Sequence, residues 1–128
     1  MQAMNQSLSM LSLFKQHVAE MMADTRIQYD NLATVQDRLY AINDKTIEKM
    51  AYVYREQGDN IDLFRKQAHR WLTQSLNPEE EYAVEKFLIQ LDDLEKITQR
   101  VMTLVNKITP HPVWRAASTI NTETGENK

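Results

Sequence analysis

Residues 5–58 read NQSLSMLSLFKQHVAEMMADTRIQYDNLATVQDRLYAINDKTIEKMAYVYREQG, with no proline and no glycine before Gly58. Glycine and proline are the residues that most strongly interrupt a helix. Because apolar side chains also recur at helical spacing, we predict one long helix over residues 5–57. A turn at Gly58 then leads into shorter helices over residues 60–76 and 78–108.

The apolar residues of the first segment follow a heptad pattern. Its a and d positions hold Leu11, Phe14, Val18, Met21, Leu32, Val35, Leu39 and Ile42. After Ile42 the pattern changes phase, and Ile47 and Met50 continue the stripe. We interpret this change as a stutter in a continuous helix. The alternative is a break at Asn43-Asp44, where either residue could cap a new helix.

The sequence Asn77-Pro78-Glu79-Glu80-Glu81 marks the start of the last helix. Asparagine is a good N-cap, proline suits the first helical position, and a glutamate three residues after the cap completes a variant capping box. The a and d positions that follow hold Val84, Phe87, Leu91, Leu94, Val101, Val105 and Ile108, with Thr98 as the polar exception.

These patterns predict an all-α protein. We expect a long antiparallel helical hairpin or coiled coil, or a small helical bundle if the first helix breaks at Asn43. Residues 1–109 would form a single helical domain. Residues 110–128, which begin with Pro110-His111-Pro112 and become polar, would form a disordered tail.

The composition argues against several classes of function. The net charge is −3, there is no cysteine, and 2 glycines leave no room for a glycine-rich phosphate loop. We expect no catalytic site, metal or cofactor, and nucleic-acid binding is disfavoured. The first positive side chain, Lys15, follows the short apolar stretch, and no apolar run could span a bilayer. We therefore expect a cytoplasmic protein.

The last helix carries more apolar positions than one stripe requires. Leu88 and Met102 at e, with Ile97 and Leu104 at g, widen its apolar face on both sides. In a hairpin some of this surface would stay exposed and would bind a protein partner or a second copy.

Two further features could contact partners. Val113 and Trp114 follow the proline-containing segment and could either fold back onto the helices or anchor a partner. Arg65, Lys66, His69 and Arg70 form a basic face, which is either solvated surface or a phosphate or acidic-partner contact.

The sequence thus favours a non-enzymatic protein–protein interaction module (an adaptor or scaffold). The alternatives are an accessory protein of a secretion apparatus, acting as a stalk or chaperone, and a nucleic-acid-associated regulator.

Overall fold

A computed structural model describes residues 6–108, apart from the side chains of residues 39–41 and 108. It contains three long helices: α1 (Leu11–Thr34), α2 (Asp44–Leu72) and α3 (Pro78–Ile108). Short 3-10 turns cover Leu8–Met10 and Gln36–Ala41. There is no strand in this described part, so the predicted all-α class is confirmed. The predicted tail over residues 110–128 lies outside it.

The predicted continuous helix over residues 5–57 is wrong, because the chain leaves the helix after Thr34. Val35 has φ −109° and ψ 25°, and Arg38 within the 3-10 turn has φ −124°. Asn43 is extended, and its side chain accepts a 2.9 Å hydrogen bond from the Thr46 backbone N–H. The change of heptad phase therefore marks a break with a capped restart, which was the alternative interpretation.

The predicted turn at Gly58 is also wrong, because α2 runs through this glycine to Leu72. A Cβ atom added at Gly58 would meet no atom within 4 Å. The a and d stripe keeps its phase across the glycine, from Tyr54 to Ile61 and Phe64. Packing of that stripe outweighs the roughly 0.5–1 kcal/mol that an internal glycine costs a helix.

The start of α3 agrees with the sequence. The Glu80 backbone N–H donates to the Asn77 side-chain oxygen at 2.7 Å, and the Asn77 backbone N–H donates to the Glu80 carboxylate at 3.0 Å. This reciprocal pair is the predicted capping box.

The three helices form an up-down-up bundle of similar arms, roughly 36, 43 and 46 Å long at 1.5 Å per residue. α3 packs along both other helices, whereas α1 and α2 approach each other at few points. The arrangement is therefore a three-helix bundle with α3 at its centre, which confirms the small helical bundle expected if the first helix breaks, and excludes the long hairpin.

The buried apolar side chains fall into two groups, one at each end of the bundle. The first core cluster contains Leu11, Val18, Ile61, Phe64, Ala68, Trp71, Val84, Phe87, Leu91 and Leu94. The second core cluster is smaller and contains Leu32, Ile47, Val101, Leu104 and Val105.

The N-terminal segment closes the first cluster. The Trp71 indole N–H donates to the Gln6 carbonyl at 2.8 Å, and the Gln6 backbone N–H donates to the Gln67 side-chain oxygen at 2.6 Å. Trp71 is fully buried. Aromatic packing therefore closes this end of the bundle, together with hydrogen bonds that join the segment before α1 to the last turns of α2.

Replacing Gly58 with alanine should raise the free energy of unfolding by about 0.5–1 kcal/mol, because alanine favours the helix and restricts the unfolded chain. Urea denaturation measures this change. If Gly58 adopted a left-handed turn conformation, the same substitution would lower the free energy of unfolding instead. In the control Glu56→Gly, an exposed position of the same helix, stability should fall by a similar amount.

Replacing Asn43 with alanine should lower the free energy of unfolding by about 1 kcal/mol, because the first turn of α2 loses its cap. Asn60 is the matched control, since it is an exposed asparagine inside α2. Asn60→Ala should leave stability unchanged or raise it slightly. Equal effects of the two substitutions in the same denaturation experiment would contradict the break at residues 35–43.

Candidate functional site

The apolar residues that the sequence assigned to an interface on α3 are largely covered. Leu104 is only 5% exposed and belongs to the second core cluster, so it is not available to a partner. Leu88 and Ile97 are half-buried against the first cluster, and Met102 is half-buried as well. The expectation of surplus exposed surface assumed a two-armed hairpin. In the bundle, α3 has a neighbour on each side, which covers both flanks.

Val113 and Trp114 lie outside the described residues, so their role stays a prediction.

The predicted basic face is partly neutralised by acidic side chains. Arg65 forms ion pairs with Asp92 at 2.9 Å and Glu95 at 2.7 Å on α3, and a longer one of 3.5 Å with Asp62. Partial burial acts to lower the pKa of Arg65, but hydrogen bonds and charge from Asp92 and Glu95 outweigh it and raise the pKa. Arg65 therefore joins α2 to α3 instead of presenting a free cation.

The other members of that face, Lys66, His69 and Arg70, are exposed.

Between the two core clusters lies a polar layer, made of Thr25, Gln57 and Thr98, to which each helix contributes one side chain. The Gln57 amide N–H groups donate to the hydroxyls of Thr25 at 3.0 Å and Thr98 at 2.7 Å. Each threonine hydroxyl in turn donates to the carbonyl four residues earlier in its own helix. Both threonines are buried, so the network is satisfied inside the core.

Beside this layer, Tyr54 on α2 and Asp24 on α1 interact electrostatically. Burial raises the pKa of the Tyr54 hydroxyl, and the negative charge of Asp24 raises it further. Tyr54 also packs against the second core cluster. The phenol therefore stays protonated at neutral pH, and its ring covers part of the second core cluster.

On the side of the polar layer that holds the second core cluster, an open groove of about 520 Å³ lies between α1 and α2. We call it the α1–α2 groove. Its lining consists of Gln28, Asn31, Leu32, Thr34, Val35, Ile42, Thr46 and Met50. Val35, Ile42 and Met50 are half-buried against the second core cluster, and Leu32 is only 3% exposed. The groove therefore lies directly over the smaller core cluster.

Two large apolar side chains extend this surface. Ile27 is 60% exposed and lies one turn before Asn31 on α1, while Val53 is 44% exposed and lies two turns after Thr46 on α2. Residues four or seven apart share a helix face, so both side chains stand on the groove's rim. The groove and rim together form an apolar surface on the side of the bundle that α3 does not cover.

Gln57, Ile27 and Val53 are not among the site residues expected from the sequence. A signal for Val53 was present, because it lies in the five-residue apolar run Met50–Tyr54. Five consecutive residues point in all directions around a helix, so some of them must face outward. Gln57 occupies a d position of the unbroken α2 stripe, as Thr25 and Thr98 occupy a positions in theirs.

Within residues 6–108 no three histidine, aspartate or glutamate side chains converge as a metal site requires. In the same part of the chain, no helix has the length and apolar character needed to traverse a bilayer. Comparison with protein-family models, curated proteins and solved structures finds no match to this chain.

The polar layer yields a double-substitution test. Replacing both Thr25 and Thr98 with valine should lower the free energy of unfolding by about 1–3 kcal/mol, because the Gln57 amide loses its partners in a partly buried position. Adding Gln57→Leu should recover most of that loss, since all three polar groups are then gone. Denaturation of the double and triple variants measures both changes. A triple variant no more stable than the double would contradict the network.

Proposed function

We propose that this chain is a non-enzymatic protein–protein interaction module that binds a helix in its α1–α2 groove. The open, apolar groove carries this proposal. An amphipathic helix laid in an apolar groove is a common mode of recognition, with anchors at helical spacing. Contiguous exposed apolar surface of this kind is typical of interfaces.

A second copy of the chain is the partner we infer. Each copy carries both parts of the interface, since Ile27 and Val53 project at the rim of a groove that could receive such side chains. A two-fold axis would place the rim of one copy in the groove of the other. Isologous two-fold dimers of this type are the commonest oligomers of soluble proteins.

The proposal predicts a dimer that depends on the groove rim. Light scattering of the wild type at micromolar concentration should give twice the mass of one chain. The Ile27→Lys variant should give the mass of a single chain. A lysine at this position would bury an unpaired charge in the interface. A strictly monomeric wild-type chain up to high micromolar concentration would contradict self-association.

The matched control is Ile89→Lys. The side chain of Ile89 is 55% exposed, which is similar to the 60% of Ile27, but it lies on the outer face of α3. This variant should remain dimeric, and circular dichroism should give both variants the helix content of the wild type. Loss of the dimer in both variants would mean that any added surface charge prevents association, and would contradict a specific role for the groove.

A further inference from the structure

The chain continues beyond α3 with residues whose apolar side chains also follow a helical pattern. Val113 and Trp114 are adjacent, and Ala117 and Ile120 follow Val113 by four and seven residues, with Arg115, Ala116, Ser118 and Thr119 between them. Such spacing places the apolar side chains on one face of a helix. Val113, Trp114 and Ile120 are the large apolar side chains of the segment that follows Pro112.

The position at which α3 ends brings this segment to the groove. Leu104 and Val105, in the last turns of α3, pack in the second core cluster with Leu32, and Leu32 also lines the α1–α2 groove. Four residues lie between Ile108 and Val113, and the five residue steps from one to the other span at most about 17 Å in an extended chain. Packed helix axes are about 8–10 Å apart, so this reach exceeds the distance from α3 to either neighbouring helix.

We propose that Val113 and Trp114 of the same chain dock in the α1–α2 groove and compete there with a second copy. The groove, of about 520 Å³, has apolar walls for the indole ring and polar groups of Gln28, Asn31 and Thr46 for its N–H. Tryptophan suits such a site, because its large apolar body carries one donor. The contact would act as a built-in competitor of self-association.

Tethering favours this occupant over the others. A segment joined by a short linker acts at an effective concentration of about millimolar. A second copy at micromolar concentration therefore forms the proposed dimer only by binding the groove more tightly than the segment does, and the segment weakens the apparent affinity of that dimer. This inference rests on the same groove as the proposed function, but its test does not require a dimer.

The absence of cysteine allows a direct test in the full chain. Asn31→Cys in the groove is paired with Arg115→Cys beside Trp114. A disulfide forms only where the two Cα atoms come within about 7 Å. Mild oxidation of the dilute protein should therefore give a rapid crosslink within one chain, identified by non-reducing electrophoresis and peptide mass spectrometry.

The matched control pairs Arg115→Cys with Thr103→Cys. Thr103 is exposed on α3 and lies only five residues before Ile108, so an undocked segment would reach it at least as readily as Asn31. The proposal requires faster crosslinking to position 31 than to position 103. Equal or faster reaction at position 103, no crosslink at position 31, or crosslinks only between chains would each overturn it.

A second variant separates this proposal from the proposed function. In the full chain, Trp114→Ala should lower the dissociation constant of the dimer several-fold in light scattering, because the competitor is weakened. An intramolecular crosslink in a chain that never dimerises would support docking and contradict self-association. A dimer whose dissociation constant is unchanged by Trp114→Ala would overturn the competition.

Discussion

The hydrogen bonds from Gln57 to Thr25 and Thr98 are the interaction on which the rest of the bundle depends. Apolar packing by itself specifies the register of neighbouring helices less strictly than a buried polar contact does. A polar layer fixes the register, because a shift would leave its buried groups without partners. Once this layer is aligned, the aromatic side chains meet on one side of it and the aliphatic ones on the other.

The two halves of the bundle differ because of what fills them. In the first cluster Phe14, Phe64 and Trp71 bridge α1 and α2, with ring centroids 5.1 and 5.8 Å apart. The buried residues of the second cluster are all aliphatic, and its aromatic side chains, Tyr29 and Tyr54, are only partly buried. The groove lies in this half of the bundle, where smaller buried side chains fill less of the space between α1 and α2.

The two errors in the helix boundaries share a physical cause. The helix-destabilising cost of glycine predicts a turn at Gly58, yet the apolar stripe from Ile47 to Trp71 keeps one phase across it. At Asn43 there is neither glycine nor proline, yet the stripe changes phase and a capping side chain is present. A single residue contributes about 1 kcal/mol to helix stability, whereas a buried stripe contributes several such increments. Continuity of phase was the stronger indicator at both positions.

The sequence by itself determined the helical class, the capped start of α3 and the a and d residues that form the core, because these follow from local propensity and side-chain periodicity. Only the tertiary structure decided which helix is central and which faces are covered. Leu104 and Ile27 are both large and apolar outside the main stripes, but one is buried and the other exposed. That outcome depends on α3 having two neighbours while a groove remains between α1 and α2, and the residues of a single helix do not encode it.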